Sequence, residues 1–267
     1  MNLDPDKIAV IGWGAMAQSV WRSLTERDTG VRIRAALLRS NGPGATPDEV
    51  RLFRSVDDLV VWKPSVVLEC ASHSAVRDAV PQLLARGIDV IVASIGALAD
   101  QQVLSHLQAA SYAGGGRMTL VSGAVGGLDV LRSARLAGLD VVSYTGRKPP
   151  SAWMGTPAEG LLDLTRLSTP QSFFHGSATD AAANYPKNAN VTAAVALAGV
   201  GFERTRVTLI ADPTVPGNVH EVAASGAFGQ FQITLENKPL PTNQKTSWLA
   251  ALSIEESLLR HFQCTSF

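Results

Sequence analysis

Small residues near the N-terminus have the spacing of a phosphate-binding turn. Gly12, Gly14 and Ala17 form a GxGxxA pattern in "IAVIGWGAMAQ", between an apolar run and a stretch with helical periodicity. The first glycine permits a tight bend, the second lets the backbone approach a pyrophosphate, and the third position keeps the helix close to the sheet. The pattern predicts a dinucleotide site that includes Gly12, Gly14, Ala15 and Met16. A plain glycine turn in a non-binding domain is the alternative.

The end of the second predicted strand bears on the choice of dinucleotide. Asp or Glu commonly stands there when the ribose hydroxyls of NAD are bound. Here "ALLRSN" supplies Arg39 and Ser40, and this pair suits the 2′-phosphate of NADP. An arginine exposed to solvent is an equal alternative, so the expected cofactor is NAD or NADP.

Small side chains also occur at the ends of the next two predicted strands, in "ECAS" (69–72) and "VASIGAL" (92–98). Open α/β sheets bind ligands at the carboxyl ends of their strands, where small side chains leave room for a nicotinamide. Ala71 and Ser72 are therefore included among the predicted cofactor contacts, although small residues also suit ordinary packing.

Amides and a basic residue precede an apolar helical stretch in "NYPKNANV" (184–191). A helix that begins near Asn190 would present free backbone N–H groups, and Asn188 adds an amide, so the segment can hold a carboxamide or a carboxylate. Lys187 adds a positive charge for a substrate, and Lys245 in "TNQKTS" is a second cationic candidate. The alternative is that Asn190 only caps the helix.

The chain has five histidines, and imidazole is the side chain best suited to proton transfer near neutral pH. His220, in "NVHEV", opens a predicted strand after a Pro/Gly/Asn turn. His73 follows a strand of the first half and ranks second. His175 is expected in a turn. Because a single histidine more often has a structural or surface role, the pattern alone leaves the catalytic assignment open.

The elements that must position these residues fall into three segments. Over residues 1–122, apolar runs alternate with helical periods, which predicts an α/β domain with a Rossmann-type parallel sheet. Over residues 123–245, strand patterns joined by Gly, Pro and Asn turns predict an α+β substrate domain with antiparallel strands. Residues 246–267 carry a helical apolar stripe, and this helix is expected to pack back on the first domain.

Composition excludes several classes of protein. The 267 residues carry 23 basic and 23 acidic side chains, so the charge balance favours neither nucleic acid nor an anionic membrane as a partner. The two cysteines lack metal-ligand spacing, and no metal is expected. The N-terminal residues lack a signal-peptide pattern and no apolar run reaches the ~18 residues that span a bilayer, which predicts a soluble, cytoplasmic protein.

Taken together, the motifs resemble those of the L-aspartate dehydrogenases, which are NAD(P)-dependent amino-acid dehydrogenases. The resemblance runs from the first predicted strand to the last helix. It is carried by "VIGWGAMAQ", "VSGAVGGLDVL", "YTGRKPP", "FFHGSATDAAANYPKNANVTAAVALAG" and "NVHEVAASGAFGQFQITLENKPLPTNQKTSWLAALS". It implies that Ala124 and Asn190 contact the dinucleotide, that His220 is the active-site histidine, and that the protein is a homodimer.

The implied reaction is the reversible oxidative deamination of L-aspartate, through iminosuccinate, to oxaloacetate and ammonia, in NAD synthesis or aspartate catabolism. The two substrate carboxylates need cationic or N–H partners. Lys187 is the first choice and Lys245 the second. Arg147 and Lys148 are also cationic, although a basic loop is usually a solvated edge. We expect the nicotinamide to be presented to His220 across an interdomain cleft.

Two other hypotheses remain open at this point. The chain can be another two-domain reductase of similar build, such as a homoserine dehydrogenase or a dihydrodipicolinate reductase, although "NVHEV" opposes this. It can also be a regulatory protein that binds NAD(P) without catalysis.

Overall fold

The computed structural model describes residues 4–39 and 46–263, apart from the side chains of residues 187, 244 and 245. The chain forms two compact units. The first consists of Met1–Val121 with Ala251–Phe267, and the second of Ser122–Ala250. In the described part of the chain, no helix is long and apolar enough to cross a membrane.

The first unit alternates strands and helices. Its elements are β1 (Ile8–Ile11), α1 (Ala15–Glu26), β2 (Ile33–Leu37), β3 (Arg51–Phe53), α2 (Val56–Trp62), β4 (Val66–Glu69), α3 (His73–Asp78), α4 (Val80–Leu84), β5 (Asp89–Val92), α5 (Gln101–Gly114) and β6 (Met118–Leu120). The six strands form one parallel sheet in the order β3-β2-β1-β4-β5-β6. The predicted Rossmann-type sheet is thereby confirmed. The pattern predicts only five of its strands, because β3 is a three-residue edge strand, too short for a periodicity to show.

The central strands explain why the first half is so apolar. Every residue of β1 and of β4 is buried, as expected for parallel strands covered on both faces. Helix α1 buries Ala17, Val20 and Leu24, which recur at helical spacing. The core of this unit therefore lies directly beneath the glycine turn that joins β1 to α1.

The second unit is built on a mixed sheet. Its elements are α6 (Leu128–Ala134), β7 (Leu139–Lys148), β8 (Gln171–Ser177), α7 (Ala178–Asn184), α8 (Ala189–Ala198), β9 (Arg206–Ala211), β10 (Asn218–Gly226), β11 (Gly229–Asn237), β12 (Pro239–Leu240) and β13 (Asn243–Ser247). Five strands form a sheet in the order β11-β10-β7-β9-β8, and β12 pairs with β13.

The predicted antiparallel strands include one parallel pair, since β9 runs parallel to β7, which lies between β9 and β10. One expectation for this unit is wrong. His175 is in β8 rather than in a turn, because "FFHGS" pairs antiparallel with β9 despite its turn-forming glycine and serine. The predicted antiparallel hairpin of β10 and β11 is present.

The last helix, α9 (Trp248–Phe262), belongs to the first unit from Ala251 onward. The carboxylate of Glu255 is buried on it and accepts hydrogen bonds from Ser23 Oγ (3.0 Å) and Arg27 Nη1 (2.9 Å), both on α1. The helix thus packs back on the first domain, as expected. Its predicted apolar stripe is wrong in part, since Trp248 and Leu252 are exposed.

Candidate active site

The glycine turn of the first unit has two glycines with different requirements. Gly12 has φ +86°, and a Cβ there would lie 2.8 Å from the Cβ of Ala71, so the protein's own packing demands glycine. A Cβ on Gly14 would meet nothing within 4 Å. Glycine at position 14 therefore keeps open a space that no protein atom fills.

The N-terminus of α1 borders that open space. Gly14 is its N-cap residue, no side chain caps the helix, and its first turn has no acidic residue. Ala15 and Met16 are the first helical residues, so their backbone N–H groups are available to an anion. These features fit the diphosphate of NAD or NADP.

Alanine substitutions at the two glycines test this distinction. Gly14→Ala should leave the thermal stability of the cofactor-free protein nearly unchanged but weaken NAD(H) binding by ~10-fold or more, because the new methyl group occupies the ligand's space. Gly12→Ala should itself destabilise the fold by ~1–3 kcal/mol through strain and the contact with Ala71. Thermal unfolding and fluorescence titration with NADH measure both effects. Unchanged NADH affinity in Gly14→Ala would contradict the predicted diphosphate site.

A buried carboxylate that sequence reasoning missed organises the neighbouring loops. Glu69, the last residue of β4, is fully buried. Its Oε1 accepts hydrogen bonds from the backbone N–H groups of Ala71 (2.8 Å) and Ser72 (2.9 Å) and from Ser94 Oγ (3.0 Å), while Oε2 accepts from Ser94 N (2.9 Å). Glu69 therefore holds together the loops that follow β4 and β5, at the sheet edge where a nicotinamide is expected. In the sequence, Glu69 is recognisable only as a single acidic residue at the end of an apolar strand.

The residues around Arg39 form a polar cluster at the same end of the sheet. Arg39 Nη2 pairs with the carboxylate of Asp78, and Nη1 lies 3.5 Å from Ser74 Oγ. Ser72 caps α3, accepting from Ala75 N at 3.2 Å. Ser40, the other residue expected near a 2′-phosphate, lies outside the described residues.

Nucleophilic thiol chemistry does not fit Cys70. Cys70 is buried. Its burial, and to a smaller extent the negative charge of Glu69, raise the pKa of its thiol well above the ordinary range, so the thiol stays protonated. Cys264 lies outside the described residues. Within those residues, no group of three or more His, Cys, Asp or Glu side chains is placed to hold a metal ion.

In the second unit, His220 is buried on β10, with only 3% of its surface exposed. Its Nδ1 lies 2.8 Å from the hydroxyl of Tyr144 on β7, and its Nε2 has no hydrogen-bond partner among the described residues. Burial, and secondarily the charge of Lys148, lower the pKa of His220 to about 3. The imidazole is therefore neutral at physiological pH, with one nitrogen held and the other uncommitted.

The interpretation of Arg147 and Lys148, in "TGRKPP", as part of a solvated loop is wrong. Both basic residues end β7, and they point to opposite faces of the sheet. Arg147 is held by Asp212 (3.1 Å) and Glu221 (3.3 Å). Lys148 Nζ lies 5.0 Å from the ring centroid of Trp153 and donates to the side-chain oxygen of Asn188. The Lys148 ammonium is thus held in place on the sheet face that carries His220.

Helix α8 begins at Ala189, so Asn188 occupies the N-cap position and Asn190 lies within the first turn. The expectation that Asn190 caps the helix is therefore wrong. Asn188 makes no capping bond, since its oxygen faces Lys148, and its buried Nδ2 has no partner within the described part of the chain. The buried hydroxyl of Thr192, one turn later, is likewise without one. The N-terminus of α8 thus offers uncommitted donors next to an ammonium group.

The other predicted residues are placed as follows. Ala124 precedes α6, and its carbonyl accepts a 2.7 Å hydrogen bond from Asn237 Nδ2. His73, the second histidine candidate, opens α3 of the first unit. The side chains of Lys187 and Lys245 lie outside the described residues.

Comparisons with known proteins show which family the chain resembles. The family model "Aspartate dehydrogenase, C-terminal" matches residues 129–261, and "Homoserine dehydrogenase, NAD binding domain" matches residues 12–120. The chain is 50% identical to an L-aspartate dehydrogenase of Ralstonia nicotianae over 94% of this chain and 96% of that protein. It is 43% identical to one of Pseudomonas aeruginosa, covering 97% and 98% of the two chains.

A solved structure extends the likeness to three dimensions. The crystal structure of aspartate dehydrogenase from Thermotoga maritima superposes with a TM-score of 0.77, at 27% identity and 98% coverage of both chains. Sequence identities of 43% and 50% over nearly the whole length of the two enzymes from Pseudomonas aeruginosa and Ralstonia nicotianae place the chain in their family. The chain belongs to the L-aspartate dehydrogenase family.

Proposed function

We propose that this protein is an NAD(P)-dependent L-aspartate dehydrogenase with His220 as its acid/base. The observation that carries the proposal is the buried, neutral imidazole whose Nε2 is uncommitted, on the same sheet face as the ammonium of Lys148. A neutral imidazole can accept a proton at physiological pH, and an ammonium held nearby attracts a carboxylate. The family to which the chain belongs gives this pair its substrate.

The reaction has two stages. L-aspartate loses a hydride from Cα and a proton from its amino group to solvent, which gives iminosuccinate; the nicotinamide, when bound, would supply the hydride acceptor. Water then adds to the imine carbon, and ammonia leaves as oxaloacetate forms. His220 Nε2 takes the proton of the attacking water and returns it to the departing nitrogen, so the residue ends unchanged.

The substrate carboxylates are held mainly by Lys148 and by donors at the start of α8. Lys148 replaces Lys187 as our first choice, because its ammonium is fixed by Asn188 and Trp153 on the face that carries His220. Asn188 Nδ2 is buried and needs an acceptor, which a carboxylate oxygen provides. The second carboxylate distinguishes aspartate from a monocarboxylic amino acid.

Arg39 is the residue with which we test cofactor choice. Arg39→Ala should weaken NADP binding by ~10-fold while changing NAD binding by less than about threefold, because only NADP carries a 2′-phosphate for the guanidinium to hold. The ion pair with Asp78 then has to rearrange when NADP binds. Isothermal titration with both cofactors measures the effect, and Arg77→Ala, an exposed neighbour on α3, is the control. Equal loss for both cofactors would leave Arg39 without a role in discrimination.

A substrate panel tests the proposed function. Reduced-nicotinamide absorbance is followed with L-aspartate, L-homoserine and L-alanine in one direction, and with oxaloacetate plus ammonia in the other, with each cofactor. Turnover restricted to aspartate and oxaloacetate is expected. Preferred turnover of homoserine would favour the rival reductase, and tight cofactor binding without turnover of any substrate would favour a regulator.

Two further features belong to the same proposal. We propose a homodimer, as the family resemblance implies, which sedimentation velocity would test. Iminosuccinate that leaves before water adds is the imine that quinolinate synthesis consumes, so a role in NAD synthesis follows if release is faster than hydrolysis.

A further inference from the structure

The Tyr144 hydroxyl contacts His220 by passing over Gly146, a residue of β7 that has no side chain. Tyr144 and Gly146 are two residues apart, so they lie on one face of β7. Gly146 stands directly opposite His220 in the antiparallel pairing with β10, which places all three residues on the same face. The rings of Tyr144 and His220 lie nearly parallel, with an interplanar angle of 19° and centroids 6.0 Å apart.

Gly146 is glycine because the phenol occupies the room of a side chain. A Cβ at this position would lie 2.7 Å from Tyr144 Oη, 3.1 Å from Leu209 Cδ2 and 3.2 Å from Tyr144 Cζ, so the hydroxyl is the nearest obstacle. Gly146 is not among the glycines with positive φ, so its backbone conformation does not require glycine. Glycine inside a strand weakens the strand. Here it leaves the room in which the Tyr144 hydroxyl contacts His220.

We propose that Tyr144 is a positioning residue that fixes His220 with Nε2 as the reacting nitrogen, and that Gly146 makes this possible. The inference rests on the proposed function for the role of Nε2. Three observations support it: the 2.8 Å contact between Tyr144 Oη and His220 Nδ1, the burial of both side chains, and the absence of a partner for His220 Nε2 among the described residues. Sequence reasoning assigned neither Tyr144 nor Gly146 a role.

A phenol suits both neutral tautomers of the histidine. Its hydroxyl donates to Nδ1 when Nδ1 carries the lone pair, and its oxygen accepts from Nδ1–H when Nε2 has to act as the base. When Nε2 takes the proton of water, the imidazolium keeps its Nδ1–H bond to Oη. Burial raises the pKa of Tyr144, so the phenol keeps its own proton throughout. As a neutral partner, the phenol orients the ring and stabilises the imidazolium through one hydrogen bond, though less than a carboxylate would.

Tyr144→Phe is the decisive variant, because it keeps the ring and removes only the hydroxyl. We expect kcat with aspartate to fall by ~10–10²-fold, the size of a lost hydrogen bond to a group that becomes charged, with KM and NADH affinity within about threefold of wild type. In a His220→Ala background the same change should have almost no further effect, because Tyr144 acts through the histidine. Tyr112→Phe, at an exposed tyrosine on α5, is the matched control.

Gly146→Ala provides an independent test that leaves Tyr144 in place. The added methyl group displaces the hydroxyl, so kcat should fall as in Tyr144→Phe. In a Tyr144→Phe background, Gly146→Ala should lower kcat much less. Circular dichroism and NADH titration establish that each variant is folded. A kcat within twofold of wild type in folded Tyr144→Phe, or an equal loss with and without His220, would overturn the proposal.

A spectroscopic measurement separates this inference from the proposed function. In protein labelled with 15N-histidine, Tyr144→Phe should shift the His220 Nδ1 resonance and change the tautomer ratio, whether or not aspartate is the substrate. Unchanged His220 resonances would overturn the role of Tyr144. Absence of aspartate turnover in the wild type, with the resonance shift present, would instead refute the proposed function alone.

Discussion

His220→Ala is expected to lower kcat for aspartate oxidation by ~10²–10⁴-fold, the usual contribution of a positioned acid/base. NADH affinity should stay nearly unchanged, because the predicted diphosphate site is in the other unit. The side chain is buried, so the substitution also leaves a cavity and an unpartnered Tyr144 hydroxyl, with an expected cost of ~1–3 kcal/mol in unfolding free energy. The rate loss is far larger than this stability loss can explain while the protein stays folded.

Steady-state kinetics and NADH titration on the same preparation distinguish the two effects. His175→Ala is the matched control, since His175 is an exposed histidine on β8 of the same unit. It should keep kcat within about twofold of wild type. If His220→Ala retained comparable turnover, the imidazole would have no part in proton transfer and the mechanism would need another base.

Lys148→Met should raise KM for aspartate by ~10²-fold or more, because it removes the positive charge that holds a carboxylate and keeps most of the side chain's volume. Lys148→Arg should recover only part of the affinity, since the planar guanidinium does not fit the place between Asn188 and the Trp153 ring. Initial-rate measurements over a wide range of aspartate concentration give both constants. Lys238→Met, at an exposed lysine of the same unit, should leave KM unchanged.

The same variant should change the pH profile in a defined direction. In the wild type, burial and then the charge of Lys148 hold the pKa of His220 at about 3, so the imidazole stays neutral as the pH falls from 8 to 5. Removing the ammonium raises this pKa, and the acidic limb of kcat/KM should therefore move to higher pH in Lys148→Met. A KM near that of wild type, or an acidic limb that moves to lower pH, would contradict the proposed position of Lys148.

The sequence by itself determined the parallel sheet of the first unit and the glycine turn that is predicted to bind the cofactor. Buried parallel strands are continuous apolar runs, and the GxGxxA pattern depends on three neighbouring positions, so both can be recognised from local sequence. The family resemblance added His220, and the hairpin of β10 and β11 followed from turn residues. Strand β3 was missed because three residues show no periodicity.

Only the tertiary structure decided which residues surround the histidine. Tyr144 and His220 are 76 residues apart in the chain, and Lys148 and Asn188 are 40 apart. A lysine at a strand end, a strand tyrosine and a mid-strand glycine have no distinctive local pattern. Their roles arise from strand register, which places Tyr144 and Gly146 beside His220 and sends Arg147 to the opposite face from Lys148. Register depends on long-range pairing, so no short stretch of sequence contains it.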